Sequence, residues 1–125
     1  MKIKNLIIVL GIVLVCSSVA LAAQTYSVTA YVESGSGAIQ AVLKPAEFTI
    51  AAGTTGTVTK FWWSDPKSGN SSEKLGYGGN IYSITQGRDW KDQNGNPIYQ
   101  LPPGKYRFIV GGYPGAKGVL TYQVE

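Results

Sequence analysis

Apolar and polar residues alternate most regularly in two runs near the C-terminal end of the chain, over 106–110 and 120–124. A period of two is typical of β-strands that bury one face. The segment between the runs, GGYPGAKG, is rich in glycine and proline, which adopt the backbone angles that a chain reversal needs. The pattern therefore predicts a β-hairpin, and we expect the upstream strands to pack against its apolar face.

Shorter runs with the same alternation lie upstream, at 26–32, 48–50, 57–63 and 81–84. Segments rich in Gly, Pro, Ser, Asn and Asp separate them, as loops and turns do. No window outside the N-terminal leader has apolar residues at the spacing of an amphipathic helix. About seven or eight short strands, with turns roughly every 8 to 12 residues, predict an all-β fold: an antiparallel β-sandwich, immunoglobulin-like or jelly-roll.

The strand predicted over 57–63 ends in two adjacent tryptophans, Trp62 and Trp63. Because successive side chains of a strand point to opposite faces, these two indoles are expected on opposite sides of the sheet. Unbroken alternation places Val58 with Trp62 on one side, and Phe61 with Trp63 on the other. If one indole enters the core, the other must meet solvent, a loop or a partner.

The first residues contain the three parts of a secretory signal peptide. Lys2 and Lys4 precede a short apolar run, and small residues follow it, ending in Ala-Leu-Ala at 20–22. We expect a signal-peptide helix over 1–22 with cleavage after Ala22, and one β-sandwich domain over 23–125. The protein is then predicted to be secreted, periplasmic or on the cell surface.

Two other fates of this leader stay open. It is retained as a membrane anchor in one, although its apolar run is shorter than the roughly 20 residues that span a bilayer. In the other, Cys16 is acylated and the domain is a lipoprotein, although Leu14 and Val15 lack the small residue that such signals place before the cysteine. Cys16 is the only cysteine, so we expect no disulfide in the exported domain.

The composition excludes the most common catalytic groups and metal ligands. The chain has no histidine and no G-x-S-x-G motif, so the common base, the serine elbow and the imidazole ligands are missing. Its 7 acidic residues lie mostly in turns, which leaves a hydrolase with a carboxylate pair as the last alternative. The basic residues are scattered rather than arranged in a stripe. We therefore expect no enzyme activity, no cofactor, no nucleic acid partner and no stable membrane insertion after signal cleavage.

One segment resembles the start of a calcium loop. Asp92, Asn94 and Asn96 offer oxygen atoms at alternate positions. The twelfth position, where a bidentate glutamate belongs, is Pro103, and Gly95 is not at the sixth position. We predict a plain turn, with Asp92 accepting bonds from nearby backbone and Gly95 at positive φ, and keep calcium as a weak alternative.

Aromatic residues are the main functional lead. A core of this size does not easily bury 3 Trp, 8 Tyr and 3 Phe, and several of them fall in or near glycine-rich loops. Exposed Trp and Tyr residues mark recognition surfaces when they cluster. The candidate binding residues are Trp62, Trp63, Tyr77, Tyr82, Trp90, Tyr99 and Tyr113. The competing interpretation is that loops fold back over the second tryptophan and that the tyrosines close the ends of the sandwich.

The motif F-T-I-x-x-G at 48–53 is followed by L-x-P-G-x-Y-x-F-x-V-x-G-Y-x-G and L-x-Y-x-V over 101–124. This arrangement is similar to bacterial pre-peptidase C-terminal domains. The resemblance implies an immunoglobulin-like or jelly-roll sandwich of the kind appended to secreted enzymes, with an accessory or binding role rather than catalysis. The acidic D-x-D segment typical of that family is missing between Trp62 and Tyr82, so the resemblance gives no support for a family calcium site.

These observations favour an exported, non-catalytic binding or structural module that acts outside the cytoplasm through an exposed aromatic patch. A polysaccharide or an envelope or extracellular protein is the expected partner. Two alternatives are a carbohydrate-binding module proper and a subunit of a surface filament, in which an edge strand pairs between chains.

Overall fold

A computed structural model describes residues 22–125, and these residues form ten β-strands. The strands are β1 (Gln24–Ser34), β2 (Ala41–Lys44), β3 (Ala46–Ile50), β4 (Gly56–Asp65), β5 (Asn70–Ser72), β6 (Gly79–Ser83), β7 (Arg88–Asp89), β8 (Gln100–Leu101), β9 (Gly104–Val110) and β10 (Lys117–Val124). The predicted signal-peptide helix lies outside the described residues. Over the described part of the chain, no helix has the length and apolar character needed to cross a membrane.

The strands form two antiparallel sheets that enclose one core. Sheet A has six strands in the order β2-β1-β10-β4-β5, with β8 also paired to β4. Sheet B has four strands in the order β3-β9-β6-β7. This arrangement confirms the predicted all-β fold with antiparallel, sandwich-like sheets. The strand count exceeds the expected seven or eight because β5, β7 and β8 are only two or three residues long.

The predicted C-terminal hairpin is wrong. Strand β9 pairs with β3 and β6 in sheet B, whereas β10 pairs with β1 and β4 in sheet A. The connection over 111–116 therefore crosses from one sheet to the other, with Gly112 at φ 123 and Gly115 at φ 101. Alternation identifies a strand and its buried face, but it does not identify the partner strand. Glycine and proline serve a crossing between sheets as well as a tight hairpin.

A β-bulge in β4 changes the predicted faces of that strand. Val58 pairs with Tyr122 and Lys60 pairs with Thr121, which leaves Thr59 without a partner residue on β10. The extra residue shifts the alternation by one position. Val58 therefore faces the core together with Phe61 and Trp63, and its predicted placement on the side of Trp62 is wrong. Trp62 is on the outer face of sheet A.

Side chains from both sheets fill the core. Phe108 of β9 and Leu120 of β10 are completely buried, and Phe108 meets Phe61 edge-on with ring centroids 5.9 Å apart. Tyr122 stacks on Phe48 across the sandwich at 4.7 Å. Aromatic pairs of this kind add to the stabilisation that burial provides. They also hold the two sheets, and hence the outer face of sheet A, in a fixed position.

One edge of sheet A is only partly covered. Strand β2 pairs with β1 from Tyr31 to Ser34, after which Pro45 separates β2 from β3 and the chain continues in sheet B. The preceding part of β1, residues 24–30, has a strand partner on its β10 side only, among the described residues. That segment carries no charged residue and no proline, which are the residues that commonly prevent an open strand edge from pairing with another chain.

Candidate binding site

Trp63 and Trp90 are core residues, so their predicted role as exposed contact residues is wrong. Each is only 6% exposed. The indole Nε1 of Trp63 donates to the carbonyl of Gly111 at 2.9 Å, and that of Trp90 donates to the carbonyl of Gln100 at 2.8 Å. Both rings thus tie a loop or short strand to the sandwich. Trp63 is thus the adjacent indole that enters the core. The competing interpretation, that loops cover the second indole, concerns Trp62.

Trp62 is the tryptophan that faces outward. It is half-buried on β4, opposite Val119 of β10, and it borders an open depression of about 430 Å³ on sheet A. The residues around this void are Trp62, Trp63, Ser64, Ser71, Ser72 and Glu73, and we call it the Trp62 depression. Strands β4 and β5 supply most of these residues, so the geometry is fixed by sheet hydrogen bonds rather than by a long loop.

Three polar side chains of the Trp62 depression are available to a ligand. Ser64 and Ser71 are cross-strand partners, so their hydroxyls project from the same face. Neither hydroxyl, nor the Glu73 carboxylate, hydrogen-bonds to another described residue. The Ser72 hydroxyl differs, because it accepts from the Lys74 amide at 2.9 Å and donates to the Lys74 carbonyl at 3.1 Å. The depression thus combines an indole with two free hydroxyls and a free carboxylate.

A second exposed ring, Tyr31, shares the outer face of sheet A. Tyr31 is 42% exposed and pairs with Lys117, which in turn pairs with Ser64 at the rim of the Trp62 depression. Two strand spacings and an offset of two residues place Tyr31 about 12 Å from Trp62. Tyr31 is not among the binding residues predicted from the sequence. Its alternation with Ala30 and Val32 was the signal that places it on the outer face.

The four other predicted tyrosines do not join this face as a single patch. Tyr82 is half-buried on the outer face of sheet B, between Arg107 and Asp89. Tyr113 is exposed in the 111–116 connection, with the Nζ of Lys67 5.0 Å from its ring centroid. Tyr99 is also exposed, in the segment before β8. Tyr77 is exposed and meets the buried Trp63 ring edge-on at 5.8 Å.

The segment from Asp92 to Asn96 forms the predicted turn. Asp92 Oδ1 accepts from the backbone amides of Asn94 at 2.8 Å and Asn96 at 3.0 Å, and Gly95 has φ 82. The carboxylate that would begin a calcium loop is therefore occupied by its own turn. Within residues 22–125, no three His, Cys, Asp or Glu side chains lie together as metal ligands would.

Asp65, at the end of β4, is a buried carboxylate that holds two loops together. It is 3% exposed, and its oxygens accept from the amides of Lys67 and Tyr113, both at 3.2 Å. Burial raises the pKa of Asp65, but the bonds from Tyr113, Ser68 and Lys67 outweigh burial, so the net pKa is below the usual value of 3.8. The fold thus favours the charged form of Asp65, which ends the strand that carries Trp62.

Acidification is expected to weaken the fold through Asp65. Because its folded pKa is lowered, its contribution is present above the unfolded pKa and is lost as pH falls through the folded pKa, below about 3.8. Asp65→Asn replaces an acceptor by a donor facing backbone amides, so this variant should be less stable at pH 7. Urea midpoints at pH 7 and pH 3 should show the gap to wild type narrowing in acid. Asp89→Asn, at an exposed carboxylate, is the control, and a gap independent of pH would contradict the account.

No family model, curated protein or solved structure matches this chain. The resemblance to bacterial pre-peptidase C-terminal domains therefore stays a prediction that rests on the sequence motifs. The geometry of the Trp62 depression is the ground for a functional proposal.

Proposed function

We propose that this protein is an exported, non-catalytic binding module that acts outside the cytoplasm. Its ligand contacts the outer face of sheet A, with Trp62 at the centre of the contact. The observation that carries the proposal is the Trp62 depression, where a half-buried indole lies beside polar side chains without protein partners. Binding energy in interfaces concentrates in such partly enclosed aromatic residues.

The chemistry of the depression favours binding over catalysis. Among the residues that the structure describes, Glu73 is the only carboxylate that borders it, whereas glycoside hydrolysis by the common routes uses two. Asp65 follows Ser64 on the same strand, but it is buried on the opposite side and bonded to backbone amides. The serines at the rim have no neighbouring histidine or cysteine, since the exported chain contains neither. A hydrolase therefore remains the weakest alternative.

Export is part of the proposal and rests on the leader sequence. Strand β1 begins at Gln24, just after the cleavage site expected at Ala22, so removal of residues 1–22 leaves every strand intact. The ten strands share one continuous core, so the fold is held together without a disulfide. The single cysteine of the sequence, Cys16, lies in the leader. The mass of the protein recovered from the producing cells measures whether the leader is removed, retained or acylated.

Replacement of Trp62 tests the binding role. Trp62→Ala should weaken binding to polysaccharide or envelope fractions on the order of tenfold or more, because it removes the central aromatic contact. Affinity for immobilised fractions measures this, with the thermal midpoint as a check on folding. Tyr82→Ala is the matched control, since Tyr82 is also half-buried but lies on the opposite sheet. Equal binding by wild type and Trp62→Ala would show that the outer face of sheet A at Trp62 is not the binding surface.

A second candidate function, self-assembly into a surface filament, is favoured by the open edge of β1. The backbone N–H and C=O of Val32 bond to Ala116 and Gly115, on the β10 side of β1. Because successive residues of a strand direct these groups to alternate sides, those of Thr25, Ser27 and Thr29 point to the open side. A strand from a second copy would satisfy these groups. Sedimentation of the protein at increasing concentration measures its oligomeric state, and a monomer at every concentration would exclude filament assembly.

A further inference from the structure

We infer that the ligand of the Trp62 depression is a glycan chain, with one hexose ring stacked on Trp62 and adjacent hydroxyls of that ring bonded to Glu73. This inference rests on the proposed binding function and names the ligand class. A hexose ring has an apolar face of C–H bonds and a rim of hydroxyl groups. An indole matches the first, and serine hydroxyls and a carboxylate match the second.

The free polar groups fit vicinal hydroxyls in number and type. The two oxygens of the Glu73 carboxylate accept hydrogen bonds only, so they pair with two neighbouring O–H donors. The hydroxyls of Ser64 and Ser71 both donate and accept, which matches the remaining sugar hydroxyls and the ring oxygen. These groups have no hydrogen bond to lose within residues 22–125 when the ligand binds, so their contribution is not offset by broken protein contacts.

The form of the site fits a chain rather than a small metabolite. The depression is open and lies on the outer face of a sheet instead of between the two sheets, so a ligand can extend beyond it on both sides. Tyr31 provides a second exposed ring on the same face, about 12 Å away. A chain of several sugars reaches both rings, whereas a disaccharide on Trp62 is too short to occupy both.

The platform is fixed before the ligand arrives. Trp62 pairs with Val119 of β10 on one side, and the next residues of β4, from Trp63 to Asp65, pair with β5 on the other. Its neighbour Trp63 is anchored by the bond to Gly111, which limits rotation of this part of the strand. A rigid site loses little conformational entropy on binding.

An extended peptide is the competing ligand, and the site fits it less well. A peptide that adds to a sheet edge needs a strand with several free backbone groups. Strand β5, the edge next to the depression, is only 3 residues long and offers few of them. Peptide ligands of aromatic grooves pack against several rings, whereas this depression presents one outward-facing indole.

The test uses the protein expressed from its full sequence and a panel of hexasaccharides of 1,4-linked glucose, mannose and N-acetylglucosamine, each with the disaccharide of the same sugar. We expect at least one to change tryptophan fluorescence on titration. Trp62→Ala should abolish the fluorescence change and weaken binding on the order of tenfold or more, and Glu73→Ala should weaken binding on the order of tenfold. Tyr31→Ala should weaken binding of the hexasaccharide but not of the disaccharide. Tyr82→Ala should bind as wild type does.

Two outcomes overturn the glycan assignment. One is that no hexasaccharide binds at millimolar concentration, and the other is that Glu73→Ala binds as well as wild type. Periodate separates this failure from that of the proposed function, because it cleaves vicinal diols and spares most peptides. Envelope material whose Trp62-dependent binding survives periodate but is lost after protease treatment would keep the binding module and make its ligand a protein. If periodate treatment of the envelope material abolishes the binding, the ligand is a glycan.

Discussion

Phe108→Ala is expected to destabilise the sandwich by about 3–5 kcal/mol, the range for truncation of a buried phenylalanine. Phe108 is 0% exposed and lies on β9, at the centre of sheet B between Ala46 of β3 and Ile81 of β6. A side chain in this position leaves a cavity when truncated, because the paired strands around it cannot close in. A loss of this size is a large fraction of the 5–15 kcal/mol that typically stabilises a domain.

The close fit of the Phe108 ring between the two sheets explains why its loss leaves a cavity. A Cβ atom on Gly79 of sheet B would come within 3.2 Å of the ring, and one on Gly118 of sheet A within 3.3 Å. The ring thus occupies space left by a glycine from each sheet. Urea denaturation should show a lower midpoint with an unchanged slope. Tyr99→Ala, at an exposed ring, is the control and should change stability by no more than about 0.5 kcal/mol. Similar losses in the two variants would contradict this description of the core.

Periodicity in the sequence is sufficient for the strands but not for their partners. The runs around Phe108 and Tyr122 were identified as strands with the correct buried faces, because burial on one face imposes a period of two. Their assignment to one hairpin failed because pairing depends on contacts between distant segments. Phe48 illustrates this, since it belongs to sheet B yet stacks on Tyr122 of sheet A.

The candidate site was predictable only in outline. Sequence alone required that one of Trp62 and Trp63 face outward, but not which one. The bulge at Thr59 decides the face of Val58, and no residue type in this segment marks the bulge. Ser71 and Ser72 of β5 lay in a segment without periodicity, so their pairing with Ser64 and Trp63 of β4 had no sequence signal. A loop-like composition concealed a short edge strand that borders the Trp62 depression.

Gly78→Ala is expected to destabilise the protein by about 2–5 kcal/mol and to disturb the Trp62 depression as well. Gly78 has φ 88, a conformation that costs an L-residue about 1–2 kcal/mol. A Cβ atom there would also overlap Cδ2 of the buried Trp63 ring, so the ring or the backbone must move, at a further cost of about 1–3 kcal/mol. Trp63 borders the depression, so its displacement should weaken ligand binding even where the variant is folded.

Gly69→Ala separates backbone strain from overlap. Gly69 has a similar φ of 78, but a Cβ atom there would have no neighbour within 4 Å. This variant should therefore lose only the strain, about 1–2 kcal/mol, and leave Trp63 in place. Near-ultraviolet circular dichroism reports the environment of the indoles, and urea midpoints report stability. If Gly78 packs closely against Trp63, Gly78→Ala should lose more stability than Gly69→Ala, and only Gly78→Ala should show an altered indole spectrum. Equal losses and equal spectra would mean that close packing of Trp63 against Gly78 does not shape the site.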